Sequence, residues 1–105
     1  MTVLPFLKGP QLVIVYLQSP RERYWGLVRA IDATGIVIQG TELGGFDAWV
    51  RQVAEGAPNA APSTVFFPLN RVEKVLVDSP SGDAPSLGQQ FERRIGRALA
   101  AFLES

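Results

Sequence analysis

The side chains able to do acid–base or ligand chemistry are few: Asp32, Asp47, Asp78 and Asp83, scattered glutamates, and Lys8 and Lys74. No spacing among them assembles a base, a nucleophile and an oxyanion site, so the chain is expected not to be an enzyme. Histidine and cysteine are both absent. That removes imidazole bases, thiol nucleophiles, disulfides and the usual zinc and haem ligands together, and no cofactor or metal is expected. Ten basic residues balance ten acidic ones, with a pI near 6.2, so no global positive field draws the chain to nucleic acid.

Any contact with RNA or DNA must then come from a local patch. The candidates are Asn70 and Arg71 in the stretch FFPLNRVEKVLVD (66–78), together with Arg93, Arg94 and Arg97 near the C-terminus. Each also has a plainer reading. Asn at a turn serves backbone tolerance, Arg71 pairs with Glu73 or another acidic neighbour, and the three later arginines form the solvated face of a helix.

The elements that must position these residues are β-rich up to about Asp78. QLVIVYLQ (11–18), bounded by Gly9-Pro10 and Ser19-Pro20, reads as a first strand, and ERYWGLVRAID (22–32) as a second. DATG (32–35) has tight-turn chemistry, Asp32 bonding the backbone ahead and Gly35 free to take positive φ, so that GIVIQGTEL returns as a third strand in a hairpin. STVFFPL (63–69) and RVEKVLVD (71–78) supply a fourth and a fifth. Pro68 cannot donate to a ladder, so the chain must turn a corner at Leu69 and Asn70. Five short strands in this length predict a small five-stranded antiparallel barrel over residues 1–78.

Within that unit, about 44–62 is an insertion. Phe46, Trp49, Val50 and Val53 fit helical spacing, which favours a short amphipathic helix with Trp49 as a lid. SPSGDAPS (79–86) is a linker, and Ser86 with Gln89 forms a capping-box pattern that opens a helix from about Leu87 to Leu103 within the segment 87–105. Leu87, Phe91, Ile95, Ala98, Leu99 and Phe102 share its apolar stripe, opposite Arg93, Arg94 and Arg97. The longest apolar run, LVIVYL, is too short to cross a bilayer, and the N-terminus lacks secretory-signal organisation; a cytoplasmic protein without membrane contact is the expectation.

GLVRAIDATGIVI (26–38) followed after the insertion by FFPLNRVEKVLV (66–77) resembles the Sm/LSm family and its bacterial Hfq-like branch. That family places a glycine in its bent second strand and an aspartate at the turn, at the spacing of Gly26 and Asp32. Its second motif is a short apolar strand, a polar corner and a final strand, matched by Phe66-Phe67, Asn70-Arg71 and Val72, Val75 and Val77. PFL (5–7) and VYL (15–17) also echo Hfq. The resemblance covers residues 5–78. It implies an SH3-like barrel whose fourth strand pairs with the fifth strand of the next subunit to close a homo-oligomeric ring that binds RNA.

At the family's base-reading positions the chain departs from the pattern. Sm rings use an Asn after the first turn and an Arg-Gly pair at the corner, and Hfq uses a Gln, an aromatic and a Lys-His pair. Here stand Ala33, Thr34 and Ile36, then Leu69, Asn70 and Arg71. Without aromatic stacking platforms, RNA binding is expected to be atypical and weak. The alternatives are a non-catalytic scaffold that binds protein partners, or a lone SH3-like module presenting Tyr24, Trp25 and Trp49.

Overall fold

The computed structural model describes residues 11–56 and 62–96. Five strands, β1 (Leu12–Leu17), β2 (Glu22–Asp32), β3 (Gly35–Glu42), β4 (Ser63–Pro68) and β5 (Val72–Val77), form one antiparallel sheet in the order β4-β3-β2-β1-β5. A single 3-10 turn, Leu43–Gly45, leads into helix α1 (Phe46–Ala54), so the insertion is helical as its apolar spacing indicates. A second 3-10 turn, Leu69–Arg71, makes the corner between β4 and β5.

That corner shows how far the sheet is curled. Leu69 N–H donates to Thr34 O beyond the far end of β2, and Gln18 N–H donates to Arg71 O beside its near end, both at 2.9 Å. Thr34 and Gln18 thus flank the whole eleven-residue β2, yet three residues of the corner bridge them. A straight strand of that length would separate its ends by roughly 35 Å at its usual rise. β2 must therefore fold the sheet over on itself.

Gly26 and Gly40 permit the fold-over. They stand opposite each other in the β2–β3 ladder. A methyl group on Gly26 would lie 2.6 Å from the Gln39 carbonyl oxygen, and one on Gly40 would collide with the Trp25 carbonyl. The ladder then slips by one residue at Arg29, between the pairs Val28–Ile38 and Ala30–Val37. This bulge turns Val28 and Ile31, three apart, to the same side.

The curled sheet has a core on each face. Inside lie Val13, Val15, Leu17, Val28, Ile31, Ile36, Ile38 and Phe67, with the Tyr24 and Phe67 rings 4.8 Å apart although β3 separates their strands. Among the described residues no helical one contributes to this core. Outside, Trp25 and Leu27 pack with Phe46, Trp49 and Val50 of α1 and Phe91 of helix α2 (Leu87–Ile95).

One expectation is met in part and one is corrected. The five strands form the expected strongly bent antiparallel sheet, but among the described residues it is not closed: β4 and β5 are both edges. Antiparallel pairing through five strands makes β4 and β5 run the same way, and a parallel ladder between them would need a crossover of a dozen or more residues where the chain has three. Helix α2 ends at Ile95, well short of Leu103, because Gly96 takes a left-handed conformation (φ 77) and its N–H donates to Glu92 O, a C-terminal cap. Ala98, Leu99, Phe102 and Leu103 lie outside the described residues. The Ser86–Gln89 capping box is present in both directions.

Replacing Gly26 by Val should lower unfolding stability by about 1–3 kcal/mol through forced separation of β2 and β3. Gly44, where a methyl group would meet only the tip of the Glu42 side chain at 3.4 Å, should tolerate Ala with little change. Paired urea titrations check both, and equal midpoints would remove Gly26 from this role.

Candidate functional site

Residues expected at a nucleic-acid surface divide between two places. The corner gathers Asp32, Gly35, Pro68, Asn70 and Arg71. Asp32 Oδ1 accepts from the Thr34 backbone N–H at 2.8 Å and from its hydroxyl at 2.6 Å, which closes the β2–β3 turn. Gly35 is buried with the Phe66 ring close above it, so any side chain there would strike the ring and the Phe67 carbonyl. Pro68 stands opposite Gly35 at the end of β4.

Arg71 folds back onto its own chain. Its Nε donates to Gln18 O at 3.2 Å, and its Nη2 donates to Pro20 O at 2.9 Å and to Glu22 Oε1 at 3.0 Å. Gln18 Nε2 returns a bond to Asn70 O. The partner is Glu22, not the neighbouring Glu73 suggested by sequence. The Arg71 guanidinium therefore clamps the β1–β2 turn to the corner, while the Asn70 side chain is exposed.

Arg93 and Arg94 are on α2, against the outer core and so across the sheet from the corner. Arg94 Nη1 bonds Asp47 Oδ1 at 3.0 Å and ties α2 to α1; Arg93 is exposed. Arg97 lies outside the described residues. Among the described residues, Arg71 of the corner and Arg93 and Arg94 of α2 thus do not meet in one basic surface.

A groove of about 420 Å³ opens beside the β1–β2 turn, with Arg21, Arg23, Glu22, Glu42 and Glu73 among its lining. Three carboxylates against two guanidiniums make it unsuited to a phosphate chain. Burial first, then the Glu22 and Glu42 carboxylates, push the nearby Tyr24 phenol above its ordinary value. Among the described residues no group of three His, Cys, Asp or Glu side chains could hold a metal ion, and no helix is long and apolar enough to cross a membrane.

The aromatic surface imagined for a lone module does not exist in this arrangement. Trp25 is fully buried, and Trp49 is 7% exposed with its ring stacked on Phe91 at 5.2 Å. Trp25 Nε1–H donates to Asp78 Oδ2 at 3.1 Å, and the same carboxylate accepts the N–H groups of Leu87 and Gly88 at 2.9 Å. Asp78 thus joins the end of β5, the outer core and the first turn of α2. Its isolated position in the sequence carries no sign of this; only the placement of an acidic residue ahead of a helix start hints at it.

Exposed apolar side chains concentrate on the two open strands and their corner: Phe66 at 52%, Leu69 at 51%, Leu76 at 43% and Val77 at 37%. Among the described residues each strand also has an unpaired backbone edge. No protein-family model, curated protein or solved structure matches the chain.

Replacing Asp78 by Ala should cost about 1–3 kcal/mol, because it strands the buried Trp25 N–H and uncaps α2. Chemical denaturation measures this, and an unchanged midpoint would refute the joint. The Thr34 hydroxyl, then its backbone N–H, hold the Asp32 carboxyl below its usual range. A carboxylate depressed in the folded state stabilises above its unfolded pKa, and that contribution disappears as pH falls through the folded value. The parent should therefore exceed Asp32→Ala in stability at neutral pH, with the gap narrowing on acidification below the ordinary carboxylate range; a gap that widens there would contradict the assignment.

Proposed function

We propose that the chain is the subunit of an Sm-like closed homo-oligomer that serves as a non-catalytic assembly platform, with atypical and weak RNA contacts. The observation that carries this reading is the pair of open edges, β4 and β5, each with an exposed large apolar side chain. An edge of this kind is a template for another strand, and a soluble monomer ordinarily protects it with charge, a bulge or a covering loop. β4 has no charged residue at all. Pairing one copy's β4 with the next copy's β5 is a heterologous contact, which repeats until rotation closes it.

The weak-RNA part rests on the state of the cations. Arg71 is held by two carbonyls and Glu22, and Arg94 is held by Asp47. A single-strand site combines a positive groove with aromatic platforms. The groove here has a carboxylate excess.

Light scattering at micromolar concentration should give the mass of a discrete multimer, and Phe66→Lys or Leu76→Lys should reduce it to the monomer with an unaltered circular dichroism spectrum. A monomeric parent would overturn the reading. Titration with uridine-rich and adenine-rich oligonucleotides at two salt concentrations should show no submicromolar, salt-sensitive binding; such binding, abolished by Arg71→Ala, would restore the corner as an RNA site.

A further inference from the structure

The backbone bonds at the ends of the two edges determine which groups each edge can offer. Along an antiparallel ladder, hydrogen-bonded and non-hydrogen-bonded residue pairs alternate. Leu69 N–H donates to Thr34 O one step beyond the Gly35–Pro68 pair, so Phe67 and Val65 bond inward to β3. Thr64, Phe66 and Pro68 then point their amide groups to the open side, where the missing N–H of Pro68 costs the sheet nothing. On the other edge, Asp78 N–H donates to Leu12 O one step beyond the Val13–Val77 pair. Leu76 and Lys74 therefore bond to β1, while Val75 and Val77 point outward.

An antiparallel neighbour must exchange its bonds between these two sets. With Phe66 opposite Val75 and Thr64 opposite Val77, both pairs are complete. Sliding by two residues so that Phe66 meets Val77 sets Pro68 against Val75, whose carbonyl then lacks a donor. Sliding the other way keeps Thr64–Val75 but sets Phe66 against Glu73, the extra residue of the bulge between the Tyr16–Lys74 and Leu17–Val72 pairs, where the ladder is irregular. Charge does not oppose the first arrangement, since β4 has no charged side chain to confront Glu73 and Lys74 of β5.

We propose that copies of this chain associate with Phe66 of one opposite Val75 of the next, Val65 opposite Leu76, and Thr64 opposite Val77, and that inner and outer sheet faces exchange at each boundary. The exchange follows from strand direction. Phe66 is on the outer face of its sheet, whereas Val75 packs against the inner core. Opposed residues share a face, so the exposed Phe66 continues the neighbour's inner core at Val75. The exposed Leu76 likewise continues the first copy's inner core at Val65, which packs against that core from the edge. A one-residue slip would place each on the wrong side.

This inference rests on the assembly reading, and the cysteine-free chain allows the two to be tested apart. Val65→Cys and Leu76→Cys proteins are prepared separately, confirmed by light scattering to assemble as the parent does, mixed to exchange subunits and mildly oxidised. Directly opposed residues at a non-hydrogen-bonded pair are the closest across a ladder and suit a disulfide. The mixture should give a species of twice the chain mass on a denaturing non-reducing gel, and either protein alone should not. Linkage of Phe67→Cys with Leu76→Cys in its place, or no linkage in either mixture of assembled protein, would overturn the register while leaving assembly intact. A monomeric parent would overturn both.

Discussion

Two strands that run the same way and are joined by three residues cannot pair with each other, and the rest of this architecture follows from that constraint. The Leu69–Arg71 turn carries the chain from one edge of the sheet to the opposite edge. It can do so only because β2 bends until its two ends are within reach of one short turn. The inner core is the volume enclosed by that bend, and among the described residues it fills with side chains from all five strands and none from a helix. The Gly26–Gly40 approach and the bulge at Arg29 are the local means by which an eleven-residue strand accommodates it. The same constraint leaves two ladders unfinished.

The outer face of a sheet so bent is convex, and α1 and α2 cover it. Their attachment is partly polar. The Asp78 carboxylate receives one indole and two backbone donors, and Arg94 with Asp47 connects the helices to each other. The Asp78 bonds matter more, since a half-exposed ion pair between surface helices adds little by itself. This helix layer accounts for the burial of Trp25 and Trp49, and with it the loss of any aromatic binding face on that side.

Strand positions, the turn at Asp32, the corner after Pro68, the helix inside the insertion and the Ser86–Gln89 cap were all legible in the sequence, because each depends on residues close together in the chain. What could not be read depends on distant partners. Nothing near Gly40 marks it as the residue opposite Gly26, and Arg71 gives no sign that its acceptors are Gln18, Pro20 and Glu22, some fifty positions away. Trp25 in an alternating strand is equally compatible with a surface or a core until the helices are in place. The candidate site was legible as a set of residue types at a corner, but not as a clamp, since whether a guanidinium points to solvent or to a carbonyl is a matter of tertiary structure. The end of α2 is hidden for a local reason: an apolar stripe continues across Gly96, while its left-handed backbone ends the helix.

The division into two cores has an optical consequence. Both tryptophans belong to the outer core, whereas the described residues of the inner core are Phe67 and aliphatic side chains, with Tyr24 at its margin. Indole emission therefore reports on the outer core, where Trp25 of β2 meets Trp49 of α1, and the bond to Asp78 places one of the two fluorophores just past the end of an open strand. Far-ultraviolet ellipticity, by contrast, sums the backbone of the sheet and of both helices. A lag between the two label-free signals during unfolding therefore measures how far the outer core loosens before the secondary structure is lost.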